Sequence, residues 1–115
     1  MAAELNLNSS RGPDGRPRLT ATGEIDLSNI ARFRHALHAT SAGTRQPITI
    51  DLSAVRYIDS AGINALFDHA DKVDNLHIIV HRVLVRVLTI SGLDKVAILE
   101  SGPAPSDSDG RNPGS

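Results

Sequence analysis

Read from its amino end, the chain changes the period of its apolar residues several times. "ELNLNSS" and "RPRLTATGEI" alternate apolar with polar positions on either side of "RGPDG", a Pro-Asp-Gly turn of the kind that joins two antiparallel strands. In the second strand Leu19, Ala21 and Ile25 are expected to face inward, and Gly23 near its end suggests a bend or bulge. The period then lengthens. In "LSNIARFRHALHAT", Ile30, Phe33 and Leu37 recur at helical spacing, with Ser28 as the expected N-cap and Gly43 as the stop. "PITIDLSAV" returns to alternation, setting Ile48, Ile50 and Leu52 against Thr49 and Asp51, which predicts a strand with one face in the core.

The clearest helix follows. "SAGINALFDHADKV" places Ile63, Leu66, Phe67, Ala70 and Val73 on one helical face and Asn64, Asp68, Asp71 and Lys72 on the other. "LHIIV" is short and β-branched, a strand. "HRVLVRVLTISGL" fits two descriptions: its Val, Ile and Thr favour a strand, whereas Leu84, Val87 and Leu88 with Gly92 as a stop fit a helix. "KVAIL" reads as a short closing strand. The order is β-β-α-β-α-β-(α)-β. Strands separated by single helices imply parallel neighbours, and the hairpin adds an antiparallel edge. A small α/β domain is therefore expected over residues 1–100. Residues 101–115, "SGPAPSDSDGRNPGS", have almost nothing to bury and read as a disordered tail.

At 115 residues the chain can bury a core that needs no metal or disulfide. With one Tyr, two Phe and no Trp, that core must be aliphatic. Absence of cysteine excludes disulfides and thiolate chemistry. No basic region followed by an apolar run opens the chain, and no apolar stretch approaches ~18 residues, so neither a signal peptide nor a membrane span is read. A soluble cytoplasmic protein is expected. Twelve Lys and Arg against 13 Asp and Glu give a net charge of −1 and no basic block, which argues against a nucleic-acid surface. The short pairs Arg32/Arg34 and Arg82/Arg86 read as solvated helix faces, and no exposed apolar stripe that would call for a dimer is apparent.

Enzyme signatures are missing. There is no G-x-S-x-G, no G-x-x-x-x-G-K-[ST] or G-x-G-x-x-G, and no H-E-x-x-H. His35 and His38 are three apart on a predicted helix, but no third ligand stands at metal spacing, and His69, His77 and His81 are scattered. No metal site and no cofactor are expected. Asp59 beside Ser60 is not a catalytic pair either, because a nucleophilic serine needs a base within reach and an adjacent carboxylate is too weak a base to serve.

What remains is "RYIDSAGINAL", which sets Asp59-Ser60 at the mouth of the clearest helix. A helix N-terminus carries unpaired N–H groups and about half a positive charge, so a serine there can cap it, and it can hold a phosphate in the same place. Phosphorylation would add roughly −1.5 to −2 charges beside Asp59 and, one or two turns on, Asp68 and Asp71. A docked acidic or apolar partner would then be repelled.

The chain resembles a STAS domain of the bacterial anti-sigma factor antagonist (anti-anti-sigma) family. Three stretches carry the resemblance in the family's order: "LTATGEIDLSNIARFRHAL", "ITIDLSAVRYIDSAGINAL" and "VRVLTISGLDKVAIL", together spanning residues 19–99. The resemblance implies the STAS fold, a small mixed and mostly parallel sheet with helices packed on it. It also implies a protein without enzymatic activity that binds an anti-sigma factor, often a serine kinase, and so releases a sigma factor. On the family pattern Ser60 is the phosphate acceptor that switches binding off, a phosphatase reverses the switch, and Asp59 is the preceding acid. Gly62 lets the partner come close, and Asp26 is the acid at the mouth of the first helix. Asn64 joins them by helical spacing alone, one turn beyond Ser60. Two features depart from the pattern: the segment from Asp71 to Leu76 is short, and "IVHRVLVRV" lacks the usual Pro or Ser before the last helix. The alternatives are a constitutive STAS scaffold in which Ser60 is only a cap, and a nucleotide-binding STAS domain.

Overall fold

The computed structural model describes residues 4–102. An antiparallel hairpin, β1 (Leu5–Arg11) and β2 (Pro17–Ile25), comes first. Then follow α1 (Ile30–Ser41), β3 (Ile48–Ile58), α2 (Ser60–Ala70), β4 (Leu76–Val80), α3 (Arg82–Ile90), a 3-10 turn (Leu93–Lys95) and β5 (Ile98–Ser101). The predicted tail lies outside the described residues from 103 onward. Among the described residues no helix is long and apolar enough to cross a membrane.

The five strands lie in chain order, β1-β2-β3-β4-β5, and every pair after the hairpin is parallel. Right-handed crossovers between strands laid down in one direction carry every connecting helix to the same side of the sheet. The burial pattern agrees. Leu19, Ile50 and Ile78 stand side by side in register, and with Ala21, Ile48, Leu52, Leu76 and Val80 they form one fully covered face. Phe33 and Leu37 of α1, Ala65 and Leu66 of α2, and Leu84 and Leu88 of α3 complete a single core with them. Each large apolar side chain so buried contributes roughly 1.5–3 kcal/mol.

The alternate residues make the other face, which no helix covers among the described residues. There Arg18 donates to Asp51 at 2.7 Å, and the Ser53 N–H and hydroxyl donate to the same carboxylate at 3.0 and 2.7 Å. Burial pushes the Asp51 carboxyl up, but these hydrogen bonds and the Arg18 charge outweigh it and hold it below its usual value.

Tertiary packing altered several details that local pattern had predicted. Gly23 does mark an irregularity: its φ is +112°, the β2–β3 register shifts there, and a Cβ would lie 2.2 Å from the Glu4 carbonyl oxygen. β3 is longer than its alternating segment, and Thr49 and Ser53 are buried despite lying on the uncovered face, because β3 is the central strand. Ser28 is not the cap of α1; Asn29 holds that position, and Ser28 turns to Asp26. The stop after α1 comes one residue before Gly43, with Ala42 itself left-handed at φ 54°. "HRVLVRVLTISGL" resolves as a helix, because Leu84 and Leu88 reach the core and the His81 ring accepts from the Val83 N–H at 3.1 Å. Val85 packs against the core edge, but Val83, Val87 and Ile90 are exposed, so an exposed apolar stripe exists after all. The closing strand starts at Ile98, since residues 93–95 are spent on the 3-10 turn.

Candidate functional site

Parallel strands that all feed helices on one face place every helix N-terminus at the same end of the sheet, beyond the strands' carboxyl ends. In open α/β sheets ligands and partners gather at this end. Here the turns leaving β2 and β3 lie side by side, and hydrogen bonds join them. The Asp59 N–H donates to the Ile25 carbonyl at 3.1 Å. The Leu27 N–H donates to Asp59 Oδ2 at 3.2 Å.

Asp59 organises both turns. Its backbone is extended, and Oδ1 accepts from the N–H groups of Ala61 at 3.0 Å and Gly62 at 3.2 Å. One carboxylate thus caps α2 and, through its second oxygen, ties down the neighbouring turn. The cap is therefore Asp59 and not Ser60, which corrects the expectation of a capping serine. Ser60 is the first residue of α2 and is exposed, and its hydroxyl has no partner among the described residues. A hydroxyl released from capping, at the positive end of a helix, is open to chemistry from solvent.

Asp26 shapes the turn beside it. Oδ1 accepts from the Ser28 N–H at 2.9 Å and the Ser28 hydroxyl at 2.5 Å, while the Asp26 N–H donates to Asn29 Oδ1 at 3.0 Å. Asn29 is buried and donates from Nδ2 to the Glu24 carbonyl at 3.0 Å. The sequence pattern missed Asn29 by one position. It also passed over Leu27, which stands 75% exposed between the two carboxylates. The available signal was an isolated leucine inside a polar turn, where neither strand nor helix period can bury it.

Gly62 and Asn64 separate in role. Asn64 is exposed one helical turn from Ser60, on the same side. Gly62 is buried, and a Cβ there would meet Ile58 Cγ1 at 2.5 Å and Ile25 Cγ2 at 2.8 Å. Its backbone lies against the sheet, so it seats the first turn of α2 and does not itself face outward. Asp68, two turns from Ser60, is paired with Arg34 at 2.9 Å.

No group of three or more His, Cys, Asp or Glu placed to hold a metal exists among the described residues. His35 and His38 belong to no such group. His38 instead stands edge-on to His69 across the α1–α2 contact, ring centroids 5.8 Å apart. His69 is 3% exposed and its Nε2 has no hydrogen-bond partner among the described residues. Burial, with the nearby His38 and Lys72 charges, pulls its pKa down to about 4. A cleft of about 560 Å³ lined by Phe67, Asp68, Ala70, Asp71, Lys72 and Val96 opens beside the later turns of α2, away from Ser60.

A family model described as "Mlab, STAS domain" matches residues 9–100. No curated protein matches the chain. The crystal structure of an anti-sigma factor antagonist from Mycobacterium paratuberculosis is similar at a TM-score of 0.77 and 25% identity, over 91% of this chain and 91% of that one. A protein of the DUF3478 family with a SpoIIAA-like fold, from Shewanella loihica PV-4, is similar in fold at a TM-score of 0.58 and 12% identity, over 93% of this chain and 92% of that one.

Proposed function

We infer that this chain, which belongs to the STAS domain family, is an anti-sigma factor antagonist whose Ser60 face docks an anti-sigma factor and is switched off by phosphorylation of Ser60. The observation that carries the reading is the free, exposed Ser60 hydroxyl at the start of a helix already capped by Asp59. Because the cap does not depend on it, the hydroxyl can be modified without unfolding the helix. Asp26, Asp59, Ser60 and Asn64 form the docking face, Leu27 supplies its apolar contact, and Gly62 holds the turn in place.

A phosphoryl group on Ser60 brings about two negative charges to a face that already carries two carboxylates. A partner surface that accepts Leu27 and faces those carboxylates loses affinity through like-charge repulsion and desolvation, at a cost of several kcal/mol. The partner is read as an anti-sigma factor with serine kinase activity, and a phosphatase restores binding. On this reading the chain is not an enzyme, needs no cofactor and acts in the cytoplasm.

The test is incubation with Mg·ATP and each kinase-fold anti-sigma factor of the host, read by intact mass and site mapping. Addition of one phosphoryl group at Ser60 by one of them is expected. Ser60→Glu should weaken binding of that partner about 100-fold or more, and Ser60→Ala should bind whether or not ATP is present. Equal binding by both variants would overturn the switch. A second reading keeps the STAS fold and makes the chain a docking module without a phosphoserine. It predicts no modification by any kinase tried.

A further inference from the structure

The last helix turns two sides to its surroundings. Leu84 and Leu88 enter the core, yet Val83, Val87 and Ile90 are 60%, 41% and 75% exposed. Their i, i+4, i+7 spacing sets them in one stripe along the outside of α3. Along its flank run Arg82 and Arg86, also exposed and one turn apart. Four other arginines pair with carboxylates, Arg16 with Asp14, Arg18 with Asp51, Arg34 with Asp68 and Arg45 with Asp74, while Arg11 and Arg32 donate to backbone carbonyls and Arg56 stands alone on β3 among the described residues. Arg82 and Arg86 have no ion pair or hydrogen bond among the described residues, and α3 contains no carboxylate.

We propose that the outer face of α3 is a docking surface, separate from the Ser60 face, for an acidic amphipathic helix of a protein partner. Charge selects this occupant. Two copies of the chain apposed through α3 would bring the unanswered arginines of one onto a helix of the other that has no carboxylate. A lipid surface fits poorly for a different reason. Interfacial helices insert leucine and aromatic side chains, and here the leucines of α3 are committed to the core. Val83, Val87 and Ile90 form a shallow, stiff ridge, since β-branched side chains have few rotamers to lose on contact. Such a ridge suits interdigitation with another helix, and carboxylates along that helix's flank would meet Arg82 and Arg86 in bidentate geometry.

The test titrates the isotopically labelled full chain with a stapled helical peptide bearing Leu at i, i+4 and i+7 and Glu on the flank. A second peptide replaces every Glu with Lys. Amide shifts confined to residues 82–90 and their immediate packing neighbours, seen with the Glu peptide and not the Lys peptide, are expected. The double variant Arg82→Glu/Arg86→Glu, whose sites are exposed, should keep the native spectrum and bind about tenfold or more weakly. Ser60→Glu should bind the peptide as the parent does, which separates this surface from the phospho-switch. Shifts with both peptides alike, or with neither, would overturn the proposal. So would a face consumed by self-association in sedimentation velocity, or co-sedimentation with phosphatidylglycerol vesicles lost in the double variant, either of which would name a different occupant.

Discussion

Replacing Gly62 by alanine sets two ordinary rules against each other. Helix propensity favours alanine over glycine by about 1 kcal/mol at most, and by less in a first turn. Packing opposes it. The added methyl would sit 2.5 Å from Ile58 Cγ1, 2.8 Å from Ile25 Cγ2 and 2.9 Å from Ile58 Cδ1. Carbon atoms in contact prefer about 3.5–4.0 Å, so each approach is too short by roughly 1 Å. Neither neighbour has an inexpensive way out. Both are β-branched and buried, with Ile25 at 0% and Ile58 at 6% exposure. Overpacking of this kind costs about 1–3 kcal/mol. Crowding outweighs propensity, and Gly62→Ala should lose about 1–2 kcal/mol, a fall in Tm of about 5–10 °C for a domain of this size. Thermal unfolding by circular dichroism, with urea titration as a check, measures it. The Ile58→Val change, which removes Cδ1, normally costs about 0.5–1.5 kcal/mol. It should cost less in the Gly62→Ala background, because it opens space for the new methyl. A Tm for Gly62→Ala equal to or above that of the parent would refute the reasoning.

Asp59→Ala removes the acceptor of two helix N–H groups and of Leu27, and should cost about 1–2 kcal/mol, whereas Asp59→Asn keeps the capping oxygen but sets an NH2 against the Leu27 N–H and should cost less than alanine without being neutral. Equal urea midpoints for Asp59→Ala and the parent would show that the carboxylate is not the cap. His69 is neutral in the fold, with its pKa lowered to about 4 from 6.5. Its contribution is fully present above pH 6.5 and is lost as pH falls towards 4, because the unfolded chain takes up the proton first. The loss approaches roughly 3 kcal/mol at its limit. His69→Leu should flatten the stability–pH curve between those values; an unchanged slope would rule His69 out as its source.

The hairpin, the first two helices and the parallel order could be read from the chain, because each of those segments has a period that agrees with its turn chemistry. "RGPDG" can only reverse direction, and Phe33 with Leu37 can only bury as a helix. The misses fall where a neighbouring segment decides. Thr49 and Ser53 are buried because β3 lies between two other strands, which no local alternation encodes. Ser28 and Asn29 are equal candidates for a cap until the Glu24 carbonyl is brought beside Asn29. The Ser60 stretch was legible as a helix mouth, but Asp59 took the cap because its carboxylate must also reach Leu27, a residue 32 positions earlier. The outward Val83 and Val87 of α3 could not be separated from its inward leucines, since both fit a strand as well as a helix.

The agreement between strand order and chain order also bears on how the sheet assembles. No strand has to be inserted between two that are already paired. Each new strand meets an open edge left by its predecessor, after a crossover confined to residues 26–47, 59–75 or 81–97. Pairings between neighbours in sequence keep the closure entropy of every step small, which speeds folding. β5, which pairs with β4 alone, is then the last strand to dock and the first to fray. Amide exchange should fall in a gradient from that edge to the doubly paired β3 at the centre.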